Sequence, residues 1–313
     1  RFLEKIYLIM KKIKIGISRN INFKIKNYHK KFSIGLIKRK NLDFDAIIIS
    51  PDTELNYKDI NKSEKIKLIF IMSLHKISRI KLQKVRKNID IIWFDKKSKK
   101  VLKTITSTPE FIFALMIILA KNFLNCQKSI EDNLWSPRKT AMLSSEKMLS
   151  ISTLGIIGYG RIGNKLKQIA NAFKMKILIY SKNRNKKNAN LNSIAKKSDF
   201  ISVNLSLNDK TKNIIDEKFF KKMKKNSYFI NTSKGAIVNY SHLLKYLGKN
   251  IKGAALDVYK IKDPKNTEIK RLCNYAKNNQ NLILTPHIAG GTADSIIKLQ
   301  NHCLDMIKNY FKF

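Results

Sequence analysis

A chain of 313 residues with 43% apolar side chains can organise more than one hydrophobic core, which excludes an intrinsically disordered protein and makes two compact domains the default. The formal charge of +42 comes from 64 Lys and Arg against 22 Asp and Glu, but arginine is sparse and lysine runs through every segment beside abundant Ile and Asn. That dispersion reads as lysine-rich codon usage, so no specific nucleic-acid partner is expected; a basic face for polyanions is the alternative.

The N-terminus lacks the apolar core and small-residue cleavage site of a secretory leader. Its Arg1 start, with Met10 just before the apolar alternation of "KKIKIGIS", suggests that residues 1–9 are an upstream extension. Cys126, Cys273 and Cys303 are odd in number and show no C-x-x-C spacing, which fits a reducing cytoplasm and offers no metal site. The most apolar stretch, Phe111 to Ala120, is closed off by Glu110 and Lys121 and reads as a buried helix, not a membrane span.

In chain order, "IKIGIS", "DAIIIS" (Asp45 to Ser50), "IKLIFIM" and "IDIIWF" are β-rich runs separated by helix-compatible polar stretches. A second series comes after the helix from Pro109: strands "LGIIG", "MKILIY", "FISVNL", "SYFIN", "GAALDV" and "LILT", with helical segments between most of them. The last element, about Thr292 to Phe311, spaces Ile296, Leu299, Cys303, Met306, Ile307 and Tyr310 along one helical face. The fold class is therefore α/β, with two doubly wound Rossmann-like domains joined by a double hinge. Residues 10–104 with 288–313 form one domain and 105–287 the other, and the site is expected in the cleft between them.

"LGIIGYGRIG" places Gly158, Gly160 and Gly163 in G-x-G-x-x-G spacing between an apolar strand and a helix that starts near Arg161 and Ile162. The first glycine makes the tight turn, the second lets backbone approach a pyrophosphate, and the third lets helix pack on strand. A pyrophosphate would sit at the helix N-terminus, where N–H groups and the helix dipole favour negative charge. The plainer alternative is a glycine-rich turn with no ligand. The next strand ends "ILIYSKNRN", with Ser181 where an acidic residue normally grips the ribose 2′-hydroxyl, and Lys182 and Arg184 come just after it. Both NAD and NADP stay open as cofactor.

The loop, its neighbours and the order of the downstream motifs resemble the D-isomer-specific 2-hydroxyacid dehydrogenase family. The likeness runs from about Leu102 to Leu299: "LKTITSTPEFIFALMIILAKN" (Leu102 to Asn122), Trp135, "TKNIIDEKFFKKMKKNSYFINTSKGAIVN" (Thr211 to Asn239), "GAALDVY" (Gly253 to Tyr259) and "TPHIAGGT" (Thr285 to Thr292). The resemblance implies a nicotinamide cofactor, a small 2-hydroxy or 2-keto acid as substrate and a homodimer. It makes His287 the acid/base that protonates the substrate carbonyl, for which imidazole is suited. It also places Thr232 and Asp257 near the cofactor. The family arginine that binds substrate carboxylate falls on Lys234, and the glutamate that orients the histidine falls on Lys262, with Asp263 as the nearest acid. The substrate-carboxylate loop aligns with "MSLHKIS", giving Ser73 and Leu74 as contacts. An active oxidoreductase and a dinucleotide-binding protein that acts through partners without turnover are the two readings these departures leave.

Overall fold

The computed structural model describes residues 12–19, 21–24, 32–38, 42–51, 53, 57–73, 85–95, 98–133, 147–181, 189–260 and 267–312. Leu74, Trp135, Lys182, Arg184, Lys262, Asp263 and the extension 1–9 lie outside them. The chain divides into two compact units, Arg1–Ile105 with Ala293–Phe313, and Thr106–Thr292.

In the first unit, β1 (Ile13–Ile17), β2 (Phe32–Leu36), β3 (Ala46–Ile49), β4 (Leu68–Ile71) and β5 (Asp90–Trp93) form a parallel sheet in the order β2-β1-β3-β4-β5. Every residue of β3 and β4 is buried, as expected for strands covered on both faces. Helix α1 (Tyr57–Lys62) lies between β3 and β4, and α2 (Lys99–Lys103) comes after β5. One face of the sheet packs Ile47, Ile49, Ile69 and Ile71 against Ile60 of α1. On the other, Ile15, Ile17 and Phe70 meet Cys303, Leu304 and Ile307 from the last helix of the chain.

The second unit opens with α3 (Ser107–Ala120) and α4 (Phe123–Glu131). Pro109 falls in the first turn of α3, where its missing N–H has no partner to lose. By length and composition Lys99–Ala120 could cross a membrane, a longer apolar stretch than Phe111 to Ala120 suggests. Its Ile112, Phe113, Leu115, Met116 and Leu119 instead pack with Leu154, Phe200, Ile230 and Ala255 of the sheet, so it is a core helix.

The sheet of this unit has six parallel strands: β6 (Thr153–Ile157), β7 (Lys176–Tyr180), β8 (Phe200–Val203), β9 (Ser227–Asn231), β10 (Ile251–Leu256) and β11 (Leu282–Leu284). Their order is β7-β6-β8-β9-β10-β11, so the winding reverses at β6. Helices α5 (Arg161–Ala172), α6 (Leu191–Lys197), α7 (Glu217–Lys221), α8 (Tyr240–Tyr246) and α9 (Thr267–Asn278) connect the strands. α5 buries Gly163, Leu166 and Ala170, a spacing of three and four that lays one stripe on the sheet. The final helix, α10 (Ala293–Tyr310), returns the chain to the first unit.

Candidate active site

Because the six strands of the second unit run parallel, the chain leaves all of them at one edge of the sheet. Gly158 follows β6, Ser181 follows β7, Asn204 follows β8, Thr232 to Lys234 follow β9, Asp257 follows β10, and Thr285 to His287 follow β11. The winding reversal at β6 puts the glycine loop at the switch point, where open α/β sheets bind ligands.

The three glycines meet three different demands. Gly158 has φ +103, a conformation side chains rarely adopt, and a Cβ there would lie 2.5 Å from the Asn204 carbonyl oxygen. Its N–H donates to Tyr180 O at 2.8 Å, while Asn204 N–H donates to Ile157 O at 2.7 Å, so the loop is sewn to both neighbouring strands. Gly160 differs: a Cβ there would meet nothing within 4 Å. At buried Gly163 a Cβ would overlap the Gly158 carbonyl oxygen. Open room at Gly160, beside the N-terminus of a twelve-residue helix, fits the pyrophosphate of a dinucleotide. Arg161 is half-buried in that first turn, and desolvation lowers its pKa from the ordinary value. Ile162 packs partly into the core beneath. Ser181, half-buried, directly follows β7.

After β9 the chain turns around the fully buried side chain of Asn231. Its Oδ1 accepts from Ser233 N–H (3.1 Å) and Ser233 Oγ (2.8 Å), and its Nδ2 donates to Lys234 O (3.3 Å) and to the Tyr240 hydroxyl (2.9 Å). Thr232 is buried and Lys234 half-buried. Gly235 presses against the Tyr259 backbone so closely that a Cβ would overlap it.

The loop after β11 is held from below by Asp257, which is 0% exposed. Its Oδ1 accepts from Thr285 Oγ1 (2.5 Å) and Ile288 N–H (2.9 Å), and its Oδ2 from Ala289 N–H (3.0 Å). These bonds flank His287, which is exposed and sits at φ +59, in the left-handed region. A non-glycine residue there is strained, and the Asp257 carboxylate supplies the contacts that maintain it. The Tyr259 hydroxyl lies 2.9 Å from both Leu256 O and Thr285 O; burial, then the Asp257 charge, pushes its pKa up to about 12.

One sheet edge thus carries Gly158, Gly160, Arg161, Ile162, Gly163, Ser181, Thr232, Lys234, Asp257 and His287. Ser73 follows β4 in the other unit, its N–H donating to Ile71 O at 2.7 Å and its carbonyl accepting from Phe94 N–H at 3.2 Å. Asn231, Tyr240, Tyr259 and Thr285 are parts of the site that the sequence alone does not single out. The available signal is a polar residue closing an otherwise apolar strand, as Asn231 closes "SYFIN".

Residues 113–289 match the model of the D-isomer specific 2-hydroxyacid dehydrogenase NAD binding domain, more than half of the chain. The chain belongs to this family. The glyoxylate reductase of Thermococcus litoralis is 28% identical over 277 residues, covering 83% of this chain and 78% of that protein. Among solved structures, a D-lactate dehydrogenase from Aquifex aeolicus, complexed with NAD and lactic acid, superposes with TM-score 0.75 at 23% identity, covering 95% of each chain. The D-lactate dehydrogenase of Treponema pallidum gives TM-score 0.79 at 20% identity, covering 96% of this chain and 97% of that one. Both share the α/β fold described above, and the glycine loop and His287 lie within the matched NAD-binding domain.

Proposed function

We propose that this 2-hydroxyacid dehydrogenase family member interconverts 2-keto acids and D-2-hydroxy acids with a nicotinamide dinucleotide, NAD or NADP. The observation that carries the reading is the convergence of a dinucleotide loop, a cation and an imidazole on one edge of a single parallel sheet. When bound, the dinucleotide supplies or accepts the hydride. The chain's own residues bind, orient and move the proton. The Lys234 ammonium holds the substrate carboxylate; His287 gives its proton to the substrate oxygen during reduction and takes it back during oxidation. By the family resemblance, Ser73 and Leu74 belong to the loop that binds the substrate carboxylate. With Lys262 in place of a carboxylate, Asp263 is the partner of His287. Asp257, whose oxygens are spent on the loop around His287, serves by holding that loop. Ser181 leaves no carboxylate to repel a 2′-phosphate, which is why both dinucleotides are admitted. Exposed Ile117, Phe123 and Ile130 on α3 and α4 suit a homodimer contact.

Lysine offers one charge-assisted bond fewer than the planar arginine fork, a deficit of about 1.5–3 kcal/mol. Lys234→Arg should therefore raise the specificity constant roughly ten- to a hundredfold, and Lys234→Ala should nearly abolish activity. His287→Ala should lower turnover at least about a hundredfold with unchanged cofactor affinity. The test is a panel of 2-keto acids with NADH and NADPH, read by loss of reduced-nicotinamide absorbance. If no variant, including Lys234→Arg with Lys262→Glu, turns over any of them while calorimetry shows NADH bound, the chain is a dinucleotide-binding protein acting through partners.

A further inference from the structure

Tyr240 opens α8 and is fully buried, boxed on one side by the Tyr259 ring with centroids 6.5 Å apart. Phenylalanine would fill the same volume without bringing a hydroxyl into the core, where a polar group is destabilising unless it is hydrogen-bonded. Both bonds of this hydroxyl go to loops that carry the site. It accepts from Asn231 Nδ2 at 2.9 Å and donates to Val258 O at 2.6 Å. The same Asn231 amide donates to Lys234 O at 3.3 Å, and Val258 directly follows Asp257, the residue that holds the peptides after His287. Burial raises the phenol pKa, so the hydroxyl keeps its proton and remains a donor to Val258.

We propose that the Tyr240 hydroxyl is a positioning group: through Asn231 it fixes the peptide of Lys234, and through Val258 it ties that turn to the strand end that supports His287. The physical need comes from lysine itself. An ammonium on a four-carbon flexible stem is placed only as well as its Cα is, and loosely held charge loses the advantage of orientation. Asn231 and Tyr240 restore at the backbone part of the rigidity that a bidentate arginine would have had in its side chain. The functional consequence rests on the reading of Lys234 as the substrate cation; the positioning itself does not.

Tyr240→Phe tests it with two readouts. Acetic anhydride footprinting, resolved by peptide mass spectrometry, should show Lys234 acetylated at least about threefold faster in the variant, with Lys245 on α8 unchanged, because only the local turn is released. The KM for pyruvate should rise about tenfold, with NADH affinity by calorimetry within about twofold of wild type. Asn231→Ser cuts the link from the other side and should reproduce the Lys234 footprint if Tyr240→Phe folds poorly. Unchanged Lys234 acetylation in both variants, with only a lowered Tm, would make the hydroxyl a plain core bond and overturn the inference. A Lys234 footprint that rises while Lys234→Ala leaves the pyruvate KM untouched would instead uphold the positioning and sink the substrate role of Lys234.

Discussion

Gly160 and Gly163 belong to one loop and answer to different constraints. The space a Cβ would take at Gly160 is open, so Gly160→Val should leave Tm nearly unchanged while filling the room available to a pyrophosphate. NADH affinity by calorimetry should then fall at least about a hundredfold, since backbone approach at this glycine is what the motif provides. At Gly163 the methyl of alanine would run into the Gly158 carbonyl, so Gly163→Ala should lose about 1–3 kcal/mol of stability together with binding. Equal thermal loss in both variants would mean that Gly160 is a packing residue and not the pyrophosphate contact. The glycine loop is legible in the sequence because each role excludes a side chain, and exclusion leaves a spacing. Asp257 is legible as a residue near the site, but not its bonding: the buried acceptors for Thr285, Ile288 and Ala289 come together only when β10 and β11 pair. Tyr240 is less legible still. A tyrosine opening a helical stretch looks like any core aromatic until the strands bring Asn231 and Val258 to its hydroxyl.

At the amino ends of β6 and β8, Asp199 does what Asp257 does at the carboxyl ends of β10 and β11. It directly precedes β8, accepts from Thr153 N–H at 2.9 Å at the start of β6, and takes Lys147 at 2.6 Å and Lys224 at 2.8 Å on one oxygen. Burial works to raise its pKa, but the bonds from Lys147, Lys224 and Thr153 outweigh that and hold it below the usual carboxylate value. A depressed folded-state pKa contributes stability that is fully present above the unfolded value of about 4 and is lost as pH falls through the folded value. Asp199→Asn should therefore be less stable than wild type by about 1.5–3 kcal/mol at pH 7, and the gap should begin to narrow below about pH 4. Urea denaturation at pH 7, 5 and 3.5 reads this directly; a gap independent of pH would assign the loss to packing. The elements themselves divide by burial in how readable they are. β3, β4, β8 and β9, buried throughout, stand out as apolar runs. β2, "FSIGL", does not: it lies at the edge of its sheet and alternates Phe32, Ile34 and Leu36 with Ser33 and Gly35, so no continuous apolar run marks it.

For the whole molecule, the alternation of strand and helix announces two parallel sheets, but it says nothing about how so basic a chain tolerates its own charge. With 22 acids against 64 basic residues, positive groups outnumber negative ones nearly three to one. Among the described residues, two acids are each shared by two lysines, Asp199 by Lys147 and Lys224 and Asp43 by Lys14 and Lys65, and Glu217 takes Lys245. Net charge far from zero destabilises a compact state by self-repulsion, and unfolding relieves it by spreading the charges apart. Added NaCl has two opposed effects here. It weakens ion pairs, and it screens the repulsion among the +42 excess, which acts over longer distances and many more pairs. Raising NaCl from about 10 to 150 mM shortens the screening length from about 30 to 8 Å, which reaches the long-range repulsion before the contacts near 3 Å. The second effect should win, and Tm should rise by roughly 2–6 °C, equivalent to about 1–2 kcal/mol. Chloride is the suitable anion, because sulfate would also strengthen apolar burial and confuse the two causes. A Tm that falls over this range would show that the shared ion pairs at Asp43, Asp199 and Glu217 contribute more to the fold than the repulsion removes.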